Sequence, residues 1–331
     1  MTTWNTTTID ALFDKPLMDL LYQAASVHRE NFDQNAVQVS TLLSVKTGNC
    51  PEDCSYCSQS VRHRTGLEPE KTIDTSKVVA AAKKAKANGS SRFCMGFAWR
   101  SPPKKSEFAK VIEMIDGVKN LGMETCLSMG MLSKDQCQEL KEAGLDYVNH
   151  NIDTSERYYK EIISTRKYQD RLDTLSNVAQ SGLKVCCGGI MDMGETRQDR
   201  VDFFLTLLNL EKQPESIPLN RLMPVKGTPL GDVKQEDDLM FLRCIAIARV
   251  LFPKSMVRLS AGRSKMSDTM QTLCFFAGAN SIFYGEKLLT CENPSTEKDD
   301  RLFEKLGMMT MPLKNNSDNK HDTQTTSCQA E

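Results

Sequence analysis

Residues 76–96 read SKVVAAAKKAKANGSSRFCMG. The first part is an amphipathic, alanine-rich helix, and Asn88-Gly89 is the kind of pair that stops one. The short run after it, RFCMG, reads as a strand. The same order returns along the chain. A helix, Gly122 and METCLSMG (123–130) come next, then a helix, Gly144 and LDYVNHNID (145–153). A helix, Gly182 and LKVCCGGIM (183–191) follow, and near the end a helix, Gly278 and ANSIFYG (279–285). The helix before Gly144 opens with a capping box, Ser133 with Gln136. Three more strand candidates fill the gaps: TLLSV (41–45), IPLNRLMPV (217–225) and VRLSAG (257–262). Helical stretches such as RVDFFLTLLNL (200–210) and DDLMFLRCIAIARVLF (237–252) separate them. Eight strands alternating with helices predict a parallel α/β fold closed into a TIM-type (β/α)8 barrel.

The barrel is expected over residues 36–312 as one domain. Residues 1–35 read as an N-terminal helical extension, with Asp14 and Pro16 near the start of a helix. Residues 313–331 are polar and aperiodic, which predicts a disordered C-terminal tail. The chain has 331 residues, 40% of them hydrophobic, enough for one large core or two modest ones. The N-terminus has neither a basic region nor a continuous apolar run, and no later stretch is apolar enough to span a bilayer. A cytoplasmic location with reduced thiols is therefore expected, and no membrane partner. The net charge of −1 gives no basic field for nucleic acid.

With disulfides disfavoured, one stretch needs another account: TGNCPEDCSYCSQS (47–60) places Cys50, Cys54 and Cys57 within eight residues. Twelve cysteines scattered at random over this length would give that spacing about 0.02 times per chain. A metal site remains, of two kinds. With His63 the three thiols could form a Cys3His zinc site in a binding module. Alternatively they could hold an iron–sulfur cluster with one iron left open. The loop directly follows the first strand, at the end of the barrel where active sites form.

Strand periodicity indicates what shares that mouth. Asn149, Asn151 and Asp153 fall on one face of their strand, against Val148, His150 and Ile152. Arg258 and Ser260 share a face against Val257, Leu259 and Ala261. With the apolar faces outward, the barrel is lined by polar groups rather than branched aliphatics. Cys94, Cys126 and Cys186 sit in the second, third and fifth strands. Facing inward together they would make a second metal centre; taken singly, each reads as a small buried hydrophobe. Cys187 faces the other way from Cys186. Cys137, Cys244 and Cys274 read as helix residues, Cys291 as loop and Cys328 as tail. His28 and His321 read as surface residues, and His150 as a hydrogen-bonded core histidine.

CPEDCSYC resembles the cluster motif of radical S-adenosylmethionine enzymes. Together with RFCMGFAW, AGLDYVNHNIDTS, YQDRLDTL, VKGTPL, VRLSAGR and GANSIFYGEKLL, the set over about residues 36–312 closely resembles the biotin synthase family. That resemblance implies a 4Fe–4S cluster on Cys50, Cys54 and Cys57, whose open iron chelates S-adenosylmethionine. It implies a 2Fe–2S cluster, the sulfur donor, on Cys94, Cys126, Cys186 and Arg258. Asn151 and Asp153 match positions near the cofactor ribose and the substrate. Arg171 matches one near the cofactor carboxylate and Asn220 one on the substrate side. The backbone of MGFAW (95–99) would contact the methionyl end. In CGGIMDMGET, near the adenine, Asp192 stands where the family often has glycine; a preserved turn is expected, since Asp tolerates positive φ. The implied activity is radical insertion of sulfur into dethiobiotin to give biotin, the last step of biotin biosynthesis. A reduced cluster would cleave S-adenosylmethionine to a 5′-deoxyadenosyl radical, which takes hydrogen from saturated carbons. The implied partners are dethiobiotin, a flavodoxin- or ferredoxin-type electron donor, the iron–sulfur assembly machinery and a second copy in a homodimer. The alternatives are a radical enzyme of this superfamily acting on another substrate, the zinc-stabilised binding module, or a barrel that has lost catalysis.

Overall fold

Local capping chemistry sets where many of the helices begin. Asn5, Ser133, Ser155, Thr196, Asp237, Ser267 and Ser295 each accept a backbone N–H of the helix they open. The computed structural model describes residues 3–234 and 237–312. Two helices come first, α1 (Thr6–Asp14) and α2 (Leu17–Asn31). Asp14 ends the first and Pro16 is the N-cap of the second, so the two residues mark a helix–helix joint. The barrel unit then runs β1 (Ala36–Lys46), α3 (Thr75–Ala87), β2 (Arg92–Phe97), α4 (Lys105–Lys119), β3 (Glu124–Ser128), α5 (Lys134–Glu142) and β4 (Tyr147–Asn149). It continues with α6 (Glu156–Ile162), α7 (Tyr168–Gln180), β5 (Lys184–Cys186), β6 (Gly189–Met191), α8 (Arg197–Leu208), β7 (Ser216–Arg221) and α9 (Asp238–Leu251). It ends with β8 (Met256–Leu259), α10 (Asp268–Phe276), β9 (Ser281–Phe283), a hairpin β10 (Lys287–Leu288) and β11 (Cys291–Glu292), α11 (Thr296–Leu306) and β12 (Met309–Thr310). The run expected as a disordered tail, 313–331, lies outside the described residues.

The strands pair in parallel in the order β1-β2-β3-β4-β5-β7-β8-β9, and β9 pairs back onto β1. The sheet closes on itself, as expected for eight strands alternating with helices. One stave differs from its sequence reading. The fifth strand is broken after Cys186, and β6 resumes beside β7 with Gly189 opposite Leu219. Gly188 and Gly189 are the reason: a Cβ there would meet the Pro218 carbonyl oxygen at 2.0 Å and the Asp153 carbonyl oxygen at 2.5 Å.

Alternation then sorts the side chains. Phe93, Leu127, Val148, Val185, Cys187, Ile217, Val257, Leu259 and Ile282 belong to the core between sheet and helices. Cys94, Cys126, Tyr147, Cys186 and Phe283 form a separate cluster inside the barrel. Cys187 thus faces the helices and Cys186 the interior, one residue reversing the direction. Outside, α1 lies against α8 and α2 against α9. Arg197 reaches from α8 to Asp10 at 2.7 Å.

Candidate active site

At the C-terminal end of the strands lies a cavity of about 230 Å³. Its wall includes Cys57 of the cysteine loop, Cys94, Cys126, Cys186, Asn149, Asn151, Asn220, Arg258 and Ser260. Leu288, Leu289, Thr290 and Cys291 of the β10–β11 hairpin also line it. Leu289 fits there because position 96 is glycine; a Cβ on Gly96 would lie 2.5 Å from the Leu289 Cδ2.

Deep in the cavity three thiols meet. Cys94 and Cys126 are register partners on β2 and β3, and Cys186 is opposite Asn149. All three are 1–3% exposed. The Cys126 thiol hydrogen-bonds toward both neighbours, which raises its own pKa and lowers theirs. Cys186 is held at about 5, first by that hydrogen bond and then by the Arg258 charge. Asn149 Nδ2 adds a contact to Cys186 Sγ at 3.4 Å. Arg258 donates from Nε to Ser281 at 2.9 Å and from Nη2 to Ser40 at 3.0 Å and Gln38 at 3.3 Å. Its Nη1 makes no hydrogen bond among the described residues. Three buried thiols, two of them (Cys94 and Cys186) biased toward thiolate, beside a nitrogen with no hydrogen bond among the described residues, form a donor set that could hold a small iron–sulfur centre.

The upper set lies on the loop after β1. The eleven described cysteines are all free thiols. Burial pushes Cys50 up, Cys54 to about 12 and Cys57 to about 11. Left alone these thiols stay protonated at neutral pH, and a bound cation would draw their protons off. Backbone N–H groups of Glu52 and Gln59 lie against the Cys50 and Cys57 sulfurs and oppose that rise. Such N–H to sulfur contacts suit a cluster. His63, the fourth ligand of the zinc alternative, has its Nε2 3.1 Å from the Cys54 carbonyl oxygen, which leaves only Nδ1 for a metal.

Between these sets the remaining residues take their places. Asn149 Nδ2 donates to Asn151 Oδ1 at 3.0 Å, and Gly188 N–H to the same oxygen at 3.1 Å. Asn220 donates to the Gly189 carbonyl at 3.0 Å and accepts from Ala261 N–H at 3.2 Å, tying β6 toward β8. Asp153 departs from its strand phase: at φ 67° it has left the strand. Its carboxylate accepts from Tyr56 Oη at 2.9 Å and Arg171 Nη2 at 2.7 Å. The cysteine-loop tyrosine is thereby fixed to α7. His150 does face outward, yet it is not the hydrogen-bonded core histidine expected, since its Nε2 has no hydrogen-bond partner among the described residues. Burial holds it neutral. His28, read as a surface residue, is instead 2% exposed.

Sequence reasoning missed the residues that anchor the loop. Asp53 accepts from Ser164 N–H at 3.0 Å and Thr165 N–H at 3.1 Å. Ser55 N–H donates to the Ile162 carbonyl at 2.9 Å. Cys291 lines the cavity although it reads as an ordinary loop residue.

The turn at Asp192 is preserved, at φ 71°. Its carboxylate takes Arg221 Nε at 2.7 Å, and Glu195 accepts the Asp192 and Met193 N–H groups at 3.0 and 2.8 Å. Asp192→Ala should lose about 3 kcal/mol of stability, because a buried arginine keeps its charge and loses an acceptor. Asp192→Gly should lose about 1 kcal/mol less, since glycine relieves the positive φ. Urea unfolding of both variants checks this; equal stability of Asp192→Ala and wild type would remove the ion pair from the account.

A closed parallel barrel, with a three-cysteine loop after its first strand and the cavity beneath it, defines the radical S-adenosylmethionine class. The family model described as Radical SAM superfamily matches residues 44–207, and that of the Biotin and Thiamin Synthesis associated domain matches residues 218–309. Biotin synthase of Legionella pneumophila (strain Corby) is 56% identical over 93% of this chain and 98% of its own length. That of Marinobacter nauticus is 59% identical over 92% of this chain and 86% of its own. The chain belongs to the biotin synthase family, sulfur-inserting enzymes of the radical S-adenosylmethionine superfamily. In fold it is similar to methylornithine synthase, with TM-score 0.80 at 18% identity over 96% of both chains.

Proposed function

We propose that this chain converts dethiobiotin to biotin with two metal centres arranged along the barrel axis. Cys50, Cys54 and Cys57 would hold a 4Fe–4S cluster at the mouth. Cys94, Cys126, Cys186 and Arg258 would hold a 2Fe–2S cluster below it. When bound, the upper cluster and S-adenosylmethionine supply one-electron cleavage and a hydrogen-abstracting radical, and the lower cluster supplies sulfide. The protein's own residues position and shield. Arg258 and Arg92, both 1% exposed, hold positive charge beside Cys94 and Cys186 and favour their thiolate forms. Asn151 and Asn220 offer amide groups to a polar ring substrate in the cavity between the sets. Asp153 and Arg171 would meet the cofactor's ribose and carboxylate. The hairpin residues Leu288 and Leu289 cover that cavity and keep water from a reactive carbon.

One observation carries this reading: three interior thiols and an arginine whose Nη1 has no hydrogen bond among the described residues share one cavity with the cysteine loop. Free thiols at all eleven described cysteines fit a reducing, cytoplasmic compartment, and no described helix is long and apolar enough to cross a membrane. A flavodoxin- or ferredoxin-type donor, iron–sulfur assembly proteins and a homodimeric state complete the proposal. The test is iron and acid-labile sulfide analysis of anaerobically prepared protein, with biotin measured after adding dethiobiotin, S-adenosylmethionine and a reductant. Six irons per chain with biotin formed is the expected result; zinc in place of iron, or cofactor cleavage without biotin, would overturn it.

A further inference from the structure

Glu52 lies between Cys50 and Cys54, yet the reaction as described gives it no task. It is 2% exposed, and two arginines from different loops converge on it. Arg100, after β2, brings Nη1 to 3.1 Å from Glu52 Oε1, and Arg166, before α7, brings Nη2 to 3.4 Å. Thr165 donates its hydroxyl to Oε2. Neither arginine contact is an aligned hydrogen bond, for among the described residues Oε1 has no hydrogen-bond donor, and Arg166 Nε and Nη1 are also buried without hydrogen-bond partners. The Glu52 and Arg166 charges are therefore weakly solvated, and their field is poorly screened.

We propose that Glu52, with Arg100 and Arg166, is a positioning residue that fixes the cysteine loop and sets the reduction potential of the cluster it holds. The inference rests on the two-centre reading above. A carboxylate beside an iron–sulfur cluster disfavours the added electron and lowers the potential; an arginine raises it. Glu52 keeps the reduced cluster a strong enough reductant to cleave a sulfonium, while the arginines keep the buried carboxylate paired.

The experiment is a redox titration of the 4Fe–4S signal by electron paramagnetic resonance in Glu52→Gln, Glu52→Asp, Arg166→Gln and Arg100→Gln, with iron content measured beside it. Glu52→Gln should hold full iron, shift the midpoint to more positive potential and slow S-adenosylmethionine cleavage about tenfold. Glu52→Asp, which keeps the charge, should restore most of both. Arg166→Gln and Arg100→Gln should shift the midpoint the other way. A loop merely loosened would move all variants in the same direction, so opposite signs are the signature. Unmoved midpoints, or shifts of one sign throughout, overturn the proposal. If Glu52→Gln fails to fold, Arg100→Gln, whose side chain is 40% exposed, is read against the charge-conserving Glu52→Asp: a more negative midpoint in the first with little shift in the second upholds the proposal, and equal shifts overturn it. A wild-type chain without iron would remove the enzyme reading itself, whereas a normal wild-type cluster with unmoved variants removes only this role for Glu52.

Discussion

Replacing Cys50, Cys54 or Cys57 with alanine should abolish S-adenosylmethionine cleavage in each case, with neither methionine nor 5′-deoxyadenosine detected above background. A cluster bound through three protein thiolates has none to spare, and its fourth iron is the one a cofactor would use. The barrel should survive the change. The loop is held by Asp53 on Ser164 and Thr165, by Ser55 on the Ile162 carbonyl and by Tyr56 on Asp153, none of which needs a cysteine. Of the three, only Cys54 is buried, at 8% exposure, so a loss of about 1 kcal/mol is expected there. Circular dichroism and a thermal melt alongside the cleavage assay separate lost chemistry from lost fold. Retained cleavage in any one variant would sink that residue's role.

Cys186→Ala and Cys187→Ala should part company just as sharply. Cys186 belongs to the interior set with Cys94 and Cys126, and Cys187 to the core beneath the helices. Loss of Cys186 should remove the visible absorption of the lower cluster and all biotin formation. Cofactor cleavage should continue, because the upper set shares no residue with the lower. Loss of Cys187 should leave both clusters and the product yield in place, at a stability loss of about 1–2 kcal/mol for the small cavity. Iron content, absorption and biotin yield, measured side by side, distinguish the two. Equal defects, or a worse one at Cys187, would mean that the wrong sulfur has been put on the cluster.

The difference between these two cysteines was legible in the sequence because strand alternation is local: a residue and its successor cannot both face inward. The five helix–glycine–strand units, the three further strands and the cysteine loop were legible for the same reason. What escaped depends on partners far along the chain. Glu52 and Asp53 read as ordinary acidic loop residues until Thr165, more than a hundred positions away, is brought beside them. Asp153 fits the inward face by period two, but the backbone turns at φ 67° and aims its carboxylate at Tyr56 and Arg171. The break in the fifth strand follows from the closeness of Pro218 to Gly188, which no local pattern encodes. Cys291 reaches the cavity only because the short β10–β11 hairpin folds over the barrel mouth.

That hairpin rests on a gap left by a missing side chain, with Leu289 seated where a Cβ at position 96 would be. For anyone redesigning the substrate range, floor and roof of this chamber are therefore one mechanical part. Even a methyl group at 96 would displace the Leu289 side chain from its seat. A library meant to admit bulkier substrates should vary the tip at 288–291 and leave Gly96 as the fixed seat.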